Sequence, residues 1–169
     1  MRELLDQFSR RIGMMVGRGT IANVDDSAQA QALQVELLAD EAQDGVEKFG
    51  GYGFTAVPHP GAEALVVFVG GLRSHGVVVA TEDRRYRPTS LRPGEVALYD
   101  DLGQMVKLGR DGIEIETDKP VTIRAERVLV EADTVELGGE GGAKVARVGD
   151  NVDLQTGKII SGSEKVKAA

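Results

Sequence analysis

The 169-residue chain is 41% hydrophobic, carries 22 glycines and only 4% aromatics, so it is turn-rich and globular rather than disordered, with a core that must rest on Val, Ile, Leu and Ala. A formal net charge of -7 disfavours general binding to phosphate backbones, and the lack of cysteine excludes disulfides and thiolate metal sites. No stretch approaches the roughly 18 continuous apolar residues of a membrane span. The opening MRELLDQFSRRIGMMVGRG lacks the apolar centre and cleavage pattern of a signal peptide, so synthesis in the cytosol is the expectation.

Residues 1–13 are predicted to be a short helix. Leu4, Leu5, Phe8 and Ile12 share one face, and Arg10 and Arg11 sit where a helix dipole favours cations. The simple reading is a helix packed on its own domain or subunit. A membrane-surface or partner-docking helix is the functional alternative, and Glu3 and Asp6 weigh against the membrane version.

Residues 14–89 are punctuated by Gly, Pro and Asp at short intervals. MVGRGTIANVDD reads as a strand entering an Asp turn, and AQALQVELLAD alternates at Leu33, Val35 and Leu37. LVVFVGG and HGVVVATED are continuous apolar runs, consistent with strands buried on both faces. Several short strands over this length predict an OB-like β-barrel.

RRYRPTSLRPGE, residues 84–95, is a basic connector with two prolines, which fix the backbone and refuse ladder bonds. It reads as a semi-rigid junction at the domain boundary. Arg84, Arg85, Tyr86 and Arg87 are its candidate contacts to a neighbouring subunit or hub. A basic cluster with an aromatic on an OB fold could also bind single-stranded nucleic acid, a reading opposed by the net charge and the few aromatics.

Residues 90–142 repeat a short apolar-polar alternation every seven or eight residues. The inward positions are Val106, Leu108, Ile113, Ile115, Val121, Ile123, Val128, Val130, Val135 and Leu137, while Glu114, Glu116 and Arg124 face the other way; Leu129 breaks the pattern. Period two and β-branched inward residues predict strands. Each strand buries two or three side chains at about 1.5–3 kcal/mol apiece, which hardly offsets an ordering cost of about 1–2 kcal/mol per residue. A single-chain β-helix would complete only about two rungs here, and repeat folds need at least three. Three identical chains wrapped about one axis solve both problems, because the inward pairs meet their copies and the strand edges are paired by neighbours. The expectation is an obligate homotrimer with these ten residues as its core.

Other candidate sites have plainer explanations. GGEGGAK lacks the Gly-Lys-Ser/Thr of a phosphate loop. The pairs Asp25–Asp26 and Asp100–Asp101 sit at turns, where Asp is a turn former. His59 and His75 are separate and belong to no visible triad or ligand cluster. No catalytic or metal residue is assigned, and the chain is read as a non-enzyme.

The stretches HPGAEALVVFVGGLRSHGVVVATEDRRYRP and GEVALYDDLGQMVKLGRDGIEIET, in that order and spacing, resemble the Mu-type baseplate assembly protein family, the central tail spikes related to gene product V. The resemblance implies an all-β fold with a short helix (residues 1–13), an OB-fold barrel (14–89), an intertwined triple-stranded β-helix (90–142) and a tip or fold-back extension (143–169). It implies a homotrimeric spike of a contractile-tail baseplate that pierces the host outer membrane on sheath contraction. Its partners would be the tail hub and other baseplate proteins, with no nucleic acid, and its place the virion, after assembly in the host cytoplasm. Many relatives carry a His-x-His pair near the tip that holds iron; this chain lacks it, so no cofactor and no such apex ion is expected. Residues 144–169 are instead similar, in Ala-Arg-Val-Gly-Asp and a later Gly-Ser, to the opening of PAAR-type tip proteins, without their zinc ligands. The alternative from a different class is an OB-fold single-stranded nucleic-acid binder with a trimerising β tail.

Overall fold

A computed structural model describes residues 2–38, 41–139 and 141–168 of the chain. The chain divides into two compact units, residues 1–121 and 122–169. Almost all regular structure is β, with one N-terminal helix, α1 (Arg2–Gly13).

In the first unit five strands close into a barrel: β1 (Val16–Asp25), β2 (Ala32–Leu38), β3 (Glu41–Lys48), β4 (Glu63–Phe68) and β5 (Gly76–Glu82). Their order is β1-β2-β3-β5-β4, closing back on β1. All neighbours are antiparallel except β3 and β5, so β3 must cross over rather than turn back. Closure removes the free edges that would otherwise template association. Inside lie Ile21, Leu33, Val35, Leu37, Val46, Ala62, Ala64, Val66, Phe68 and Val78, with no buried charged residue among the described ones. The alternation Leu33, Val35, Leu37 therefore points inward, as period two requires.

Two apolar runs are corrected by the structure. Of the Leu, Val and Phe side chains in LVVFVGG only Val66 and Phe68 are buried, while Leu65 is 40% and Val69 46% exposed; in HGVVVATED Val78 is buried and Val79 is 46% exposed. Neither strand is covered on both faces. A barrel this small has one interior, so alternate residues must face out even when all are apolar.

Gly19 lies where β1 crosses β2 closely. A Cβ there would sit 2.4 Å from the Glu36 carbonyl oxygen, so only glycine fits. Phe68 is fully buried, and the Arg73 guanidinium lies 4.4 Å from its ring centroid while bonding Glu41 at 3.1 Å. We expect Phe68→Ala to destabilise the barrel by about 3–5 kcal/mol, read as a lower midpoint in urea with an unchanged slope.

The last turn of α1 meets the barrel unit: a Cβ on Gly71 would fall 2.5 Å from the Arg11 carbonyl oxygen. Leu5, Phe8 and Ile12 are 61–65% exposed. The apolar stripe is therefore uncovered in the single chain, in contrast to a helix packed on its own domain; the Leu4 side chain lies outside the described residues.

After the barrel, β6 (Val96–Tyr99), β7 (Met105–Leu108) and β8 (Ile113–Glu116) form an antiparallel meander. In the second unit, β9 (Val135–Leu137) is paired in parallel by the last strand, β11 (Val166–Ala168), which also pairs β10 (Ala143–Lys144) antiparallel. A single bridge joins Val152 to Ile159. VTIRAE and VLVEAD, expected as strands, make no ladder in the described chain. A strand exists only with a neighbour to bond, and one copy of the chain offers these segments none.

Candidate functional site

The β6–β8 meander is set by two tight turns. Asp100 closes the first: its carboxylate accepts the N–H groups of Leu102 (3.0 Å) and Gln104 (2.9 Å). Asp25 does the same work after β1, accepting from the Ser27 N–H at 2.9 Å. Both acidic pairs are thus turn formers. The second turn is closed by the Gly109 N–H on the Gly112 carbonyl at 2.8 Å.

These turns fix a register that stacks apolar residues in rungs. Val96 faces Leu108, which faces Ile113; Leu98 faces Val106, which faces Ile115. All six side chains are on one face because residues two apart along a strand point the same way. That face is the wetter one, from 37% exposure at Val106 to 72% at Ile113. The opposite rungs carry Ala97, Lys107 and Glu114, then Tyr99, Met105 and Glu116. Ala97, Met105 and Lys107 on this face are half-buried. Tyr99, Glu114 and Glu116 on it are exposed, so the third strand is open on both faces, and the sheet leaves all six residues of its apolar face uncovered where a completed fold would bury them.

Four of the expected core residues, Val106, Leu108, Ile113 and Ile115, lie together on this face. Val96 and Leu98 complete it and were missed, because Val96 to Tyr99 is a run of four apolar residues that does not say which pair shares a face. Of the others, Val121 is 62% exposed at the end of the first unit. In the second unit Ile123, Val128 and Val130 are 60–74% exposed on chain that forms no ladder. Val135 is half-buried and Leu137 51% exposed in β9. Leu129, out of phase in sequence, is as exposed as its neighbours at 64%.

The entry to the meander is a charged clamp. Glu95, with a side chain only 2% exposed, accepts from the Arg92 N–H at 2.9 Å, the Arg92 guanidinium at 2.8 Å and the Arg110 N–H at 3.2 Å. Arg92 continues to Asp111 at 2.7 Å, and Arg110 donates to the Pro93 carbonyl at 2.9 Å. The clamp therefore ties the start of β6 to the β7–β8 turn. Gly94 has φ +83°, a left-handed conformation that strongly favours glycine at this corner.

The Arg92 N–H and then its guanidinium hold the Glu95 carboxyl down to about 2, from an ordinary 4.5. A carboxyl lowered in the fold stabilises it fully above its unfolded value, and that contribution is lost as pH falls through the folded value. Stability should therefore decline between pH 4.5 and about 2. Glu95→Gln is expected to lower the melting temperature at pH 7 and to flatten its pH dependence across that window; melts at a series of pH values check both.

The basic connector is matched within the chain. Arg84 pairs with Glu63 at 3.0 Å, and Arg85 pairs with Asp83 at 2.6 Å and donates to the Pro60 carbonyl at 3.0 Å. Tyr86 sits 5.3 Å from the Arg85 guanidinium and 5.6 Å from the His59 ring, and Arg87 donates to the Pro88 carbonyl at 3.2 Å. His59 pairs with Asp101 at 3.2 Å, while the His75 backbone closes the turn before β5. Both histidines belong to the first unit, and residues 122–169 contain none. Among the described residues no three His, Cys, Asp or Glu gather as a metal site. GGEGGAK connects β9 to β10 and leads into a strand, not a helix, as a phosphate loop would require; its Glu140 lies outside the described residues.

Residues 18–85, most of the barrel, match the family model described as Bacteriophage Mu Gp45, N-terminal. The chain is 42% identical over 129 residues to the baseplate puncturing device gp45 of Escherichia phage Mu, an alignment covering 76% of this chain and 66% of that protein, just under two thirds of it. It is 34% identical over 135 residues to the Mu-like prophage FluMu protein gp45 of Haemophilus influenzae, covering 80% of this chain and 74% of the relative. With the closed barrel and the meander that follows it, these matches establish that the chain belongs to the Mu gp45 family, the family of the phage Mu baseplate puncturing device.

Proposed function

We propose that the protein is the central spike of a contractile phage tail baseplate, a homotrimer that pierces the host outer membrane when the sheath contracts. The observation that carries this reading is the uncovered apolar face of β6–β8. At roughly 25 cal/mol per Å² of apolar surface removed from water, six large side chains per chain favour burial against copies of the same face. A three-fold axis turns each face toward the other two and closes the assembly, where an open stack would run on into fibres. The unladdered residues from Val121 to Val130 fit the same scheme, since their alternating apolar pairs and unpaired backbone both want identical partners. Residues 90–142 would then form an intertwined triple-stranded β-helix beyond a collar made by residues 14–89, with residues 143–169 as its tip or fold-back end.

The mechanism is mechanical. Force from the contracting sheath is concentrated on a narrow point, and stiffness comes from interchain backbone hydrogen bonds. Glu114, Glu116 and Arg124 keep the outer surface wet. No catalytic step and no cofactor is part of this reading. The tail hub and baseplate proteins are the proposed partners, reached through the Arg84–Arg87 junction, and the virion tail is the proposed location, after assembly in the host cytoplasm.

The nucleic-acid alternative is disfavoured by the carboxylates that already neutralise Arg84, Arg85 and Arg92. Phosphate binding would have to displace them. Multi-angle light scattering of the purified chain tests the leading reading: a mass three times the 18.0 kDa of one chain is expected, and a stable monomer at micromolar concentration rejects it. Salt-sensitive affinity for single-stranded DNA at low ionic strength would instead support the alternative.

A further inference from the structure

The apolar stripe of α1 is separate from the β6–β8 face. Leu5, Phe8 and Ile12 are 61–65% exposed, and Met15, just past the helix, is 39% exposed. Their spacing of three, four and three residues is the a/d alternation of a coiled-coil seam. Asp6 and Gln7 fall on the far side of the same helical turn, and Ser9 and Arg11 flank the seam. The root of the helix is fixed. The Met14 and Met15 N–H groups donate to the Arg11 and Ile12 carbonyls at 3.2 and 3.1 Å, and the Phe68 N–H donates to the Met15 carbonyl at 2.8 Å. With the Arg11 carbonyl packed against Gly71 as well, the barrel sets the direction in which the stripe leaves it.

The size of the stripe bears on what covers it. Leu5, Phe8 and Ile12 together expose roughly 400 Å² of surface, half of the about 800 Å² that each partner buries in a stable complex. A separate protein docking on this helix alone would be held weakly. The helix itself is 12 residues long, and isolated helices shorter than about 12–15 residues are marginal in water. Both shortfalls are removed when the covering surface is already tethered nearby, because linked surfaces meet at a high effective concentration. Copies of the same chain, gathered through β6–β8, are tethered in this way. They also bring an identical seam, so a and d side chains meet their own kind in register. Charge permits the pairing. In parallel copies the Arg11 flank of one helix meets the Ser9 flank of the next, so on the described turns no two arginines oppose. A membrane surface suits the helix less, since helices that lie on lipid carry Lys and Arg across a strongly polar face, and here Asp6 lies on that face.

We propose that α1 forms a parallel three-helix bundle with the α1 helices of two further copies, with Leu5, Phe8 and Ile12 meeting their counterparts on the three-fold axis. This inference rests on the homotrimer reading and adds a second clasp to it, contributed by the start of the chain. The clasp is too small to hold the trimer without β6–β8. Its role is to bind the three barrels to one another once the β6–β8 faces have brought the chains together.

The test uses the full-length protein, which has no cysteine of its own, so single introduced cysteines report without background. Leu5→Cys and Ile12→Cys, both at positions exposed in the single chain, place a thiol in the seam; Gln7→Cys places one on the far side. With a short bis-maleimide, the seam variants are expected to cross-link between chains about tenfold or more faster than Gln7→Cys, whose thiols the linker cannot span. Light scattering of the same samples before cross-linking gives their mass. A trimer in which Leu5→Cys and Ile12→Cys link no faster than Gln7→Cys overturns the bundle and leaves the spike reading standing, with some other surface covering the stripe. A monomer overturns both. Adding Phe8→Asp to Leu5→Cys should abolish the fast cross-link while the mass stays that of a trimer, because β6–β8 is untouched. A fast cross-link that survived Phe8→Asp would show that the helices do not pack through this seam, and would also overturn the proposal.

Discussion

Replacing Ile113 and Ile115 together by aspartate is expected to abolish assembly while leaving the barrel folded. Both residues belong to β8 and lie in adjacent rungs of the apolar face, at 72% and 67% exposure in one chain. If three copies of the face pack together, each isoleucine contributes about 1.5–3 kcal/mol of burial. Two positions on three chains then remove about 9–18 kcal/mol from such a trimer. Six carboxylates gathered about one axis would add like-charge repulsion and desolvation. The barrel core, from Ile21 to Val78, contains neither residue. Light scattering should therefore give a monomer or an ill-defined aggregate, and circular dichroism should keep a β spectrum with a cooperative barrel transition. A variant that remained a trimer would show that the face is not the source of assembly. Exposed aspartates would cost a solvated surface little, so the contrast between the two outcomes is large.

Truncation after Gly94 makes the complementary point. It removes β6–β8 and the second unit but retains all ten residues of the barrel core. The barrel's ladder is closed among β1–β5, so the fragment has no orphaned barrel edge and is expected to fold. If the proposed trimer is held by the β6–β8 face and the residues beyond it, association of the fragment should be weak or undetectable at micromolar concentration. If the fragment were as firmly trimeric as the whole chain, assembly would have to arise on the barrel's outer face, where Val16, Leu65 and Val79 are 40–57% exposed. The truncation also deletes Glu95, so the acid sensitivity between pH 4.5 and about 2 assigned to that carboxyl should be absent from the fragment.

The barrel was legible where its pattern alternated. Leu33, Val35 and Leu37 are separated by polar residues, and a period of two in such a segment has one sensible orientation. LVVFVGG and HGVVVATED carried no such contrast. A run of apolar residues does not say which members face inward, and only the curvature of a closed barrel decides that Val66 and Phe68 go in while Leu65 and Val69 stay out. The turn role of Asp25 and Asp100 was readable because a short carboxylate reaches backbone N–H groups two residues on. The clamp of Arg92, Glu95, Arg110 and Asp111 was not. Its members are 15–19 residues apart across the meander, and they meet only once β6, β7 and β8 are in register.

The same division runs through the candidate site. Alternation alone put Val106, Leu108, Ile113 and Ile115 on common faces of their strands, and composition alone excluded thiolate metal chemistry and disfavoured a general phosphate-binding surface. Those are properties of side chains and spacing, so no fold is needed to read them. That β6 joins the same face through Val96 and Leu98, and that this face is more exposed than its polar reverse, are properties of register and coverage. They depend on where two turns place three strands against one another. Tertiary structure decided them because burial is a relation between segments, whereas period and charge belong to each segment by itself.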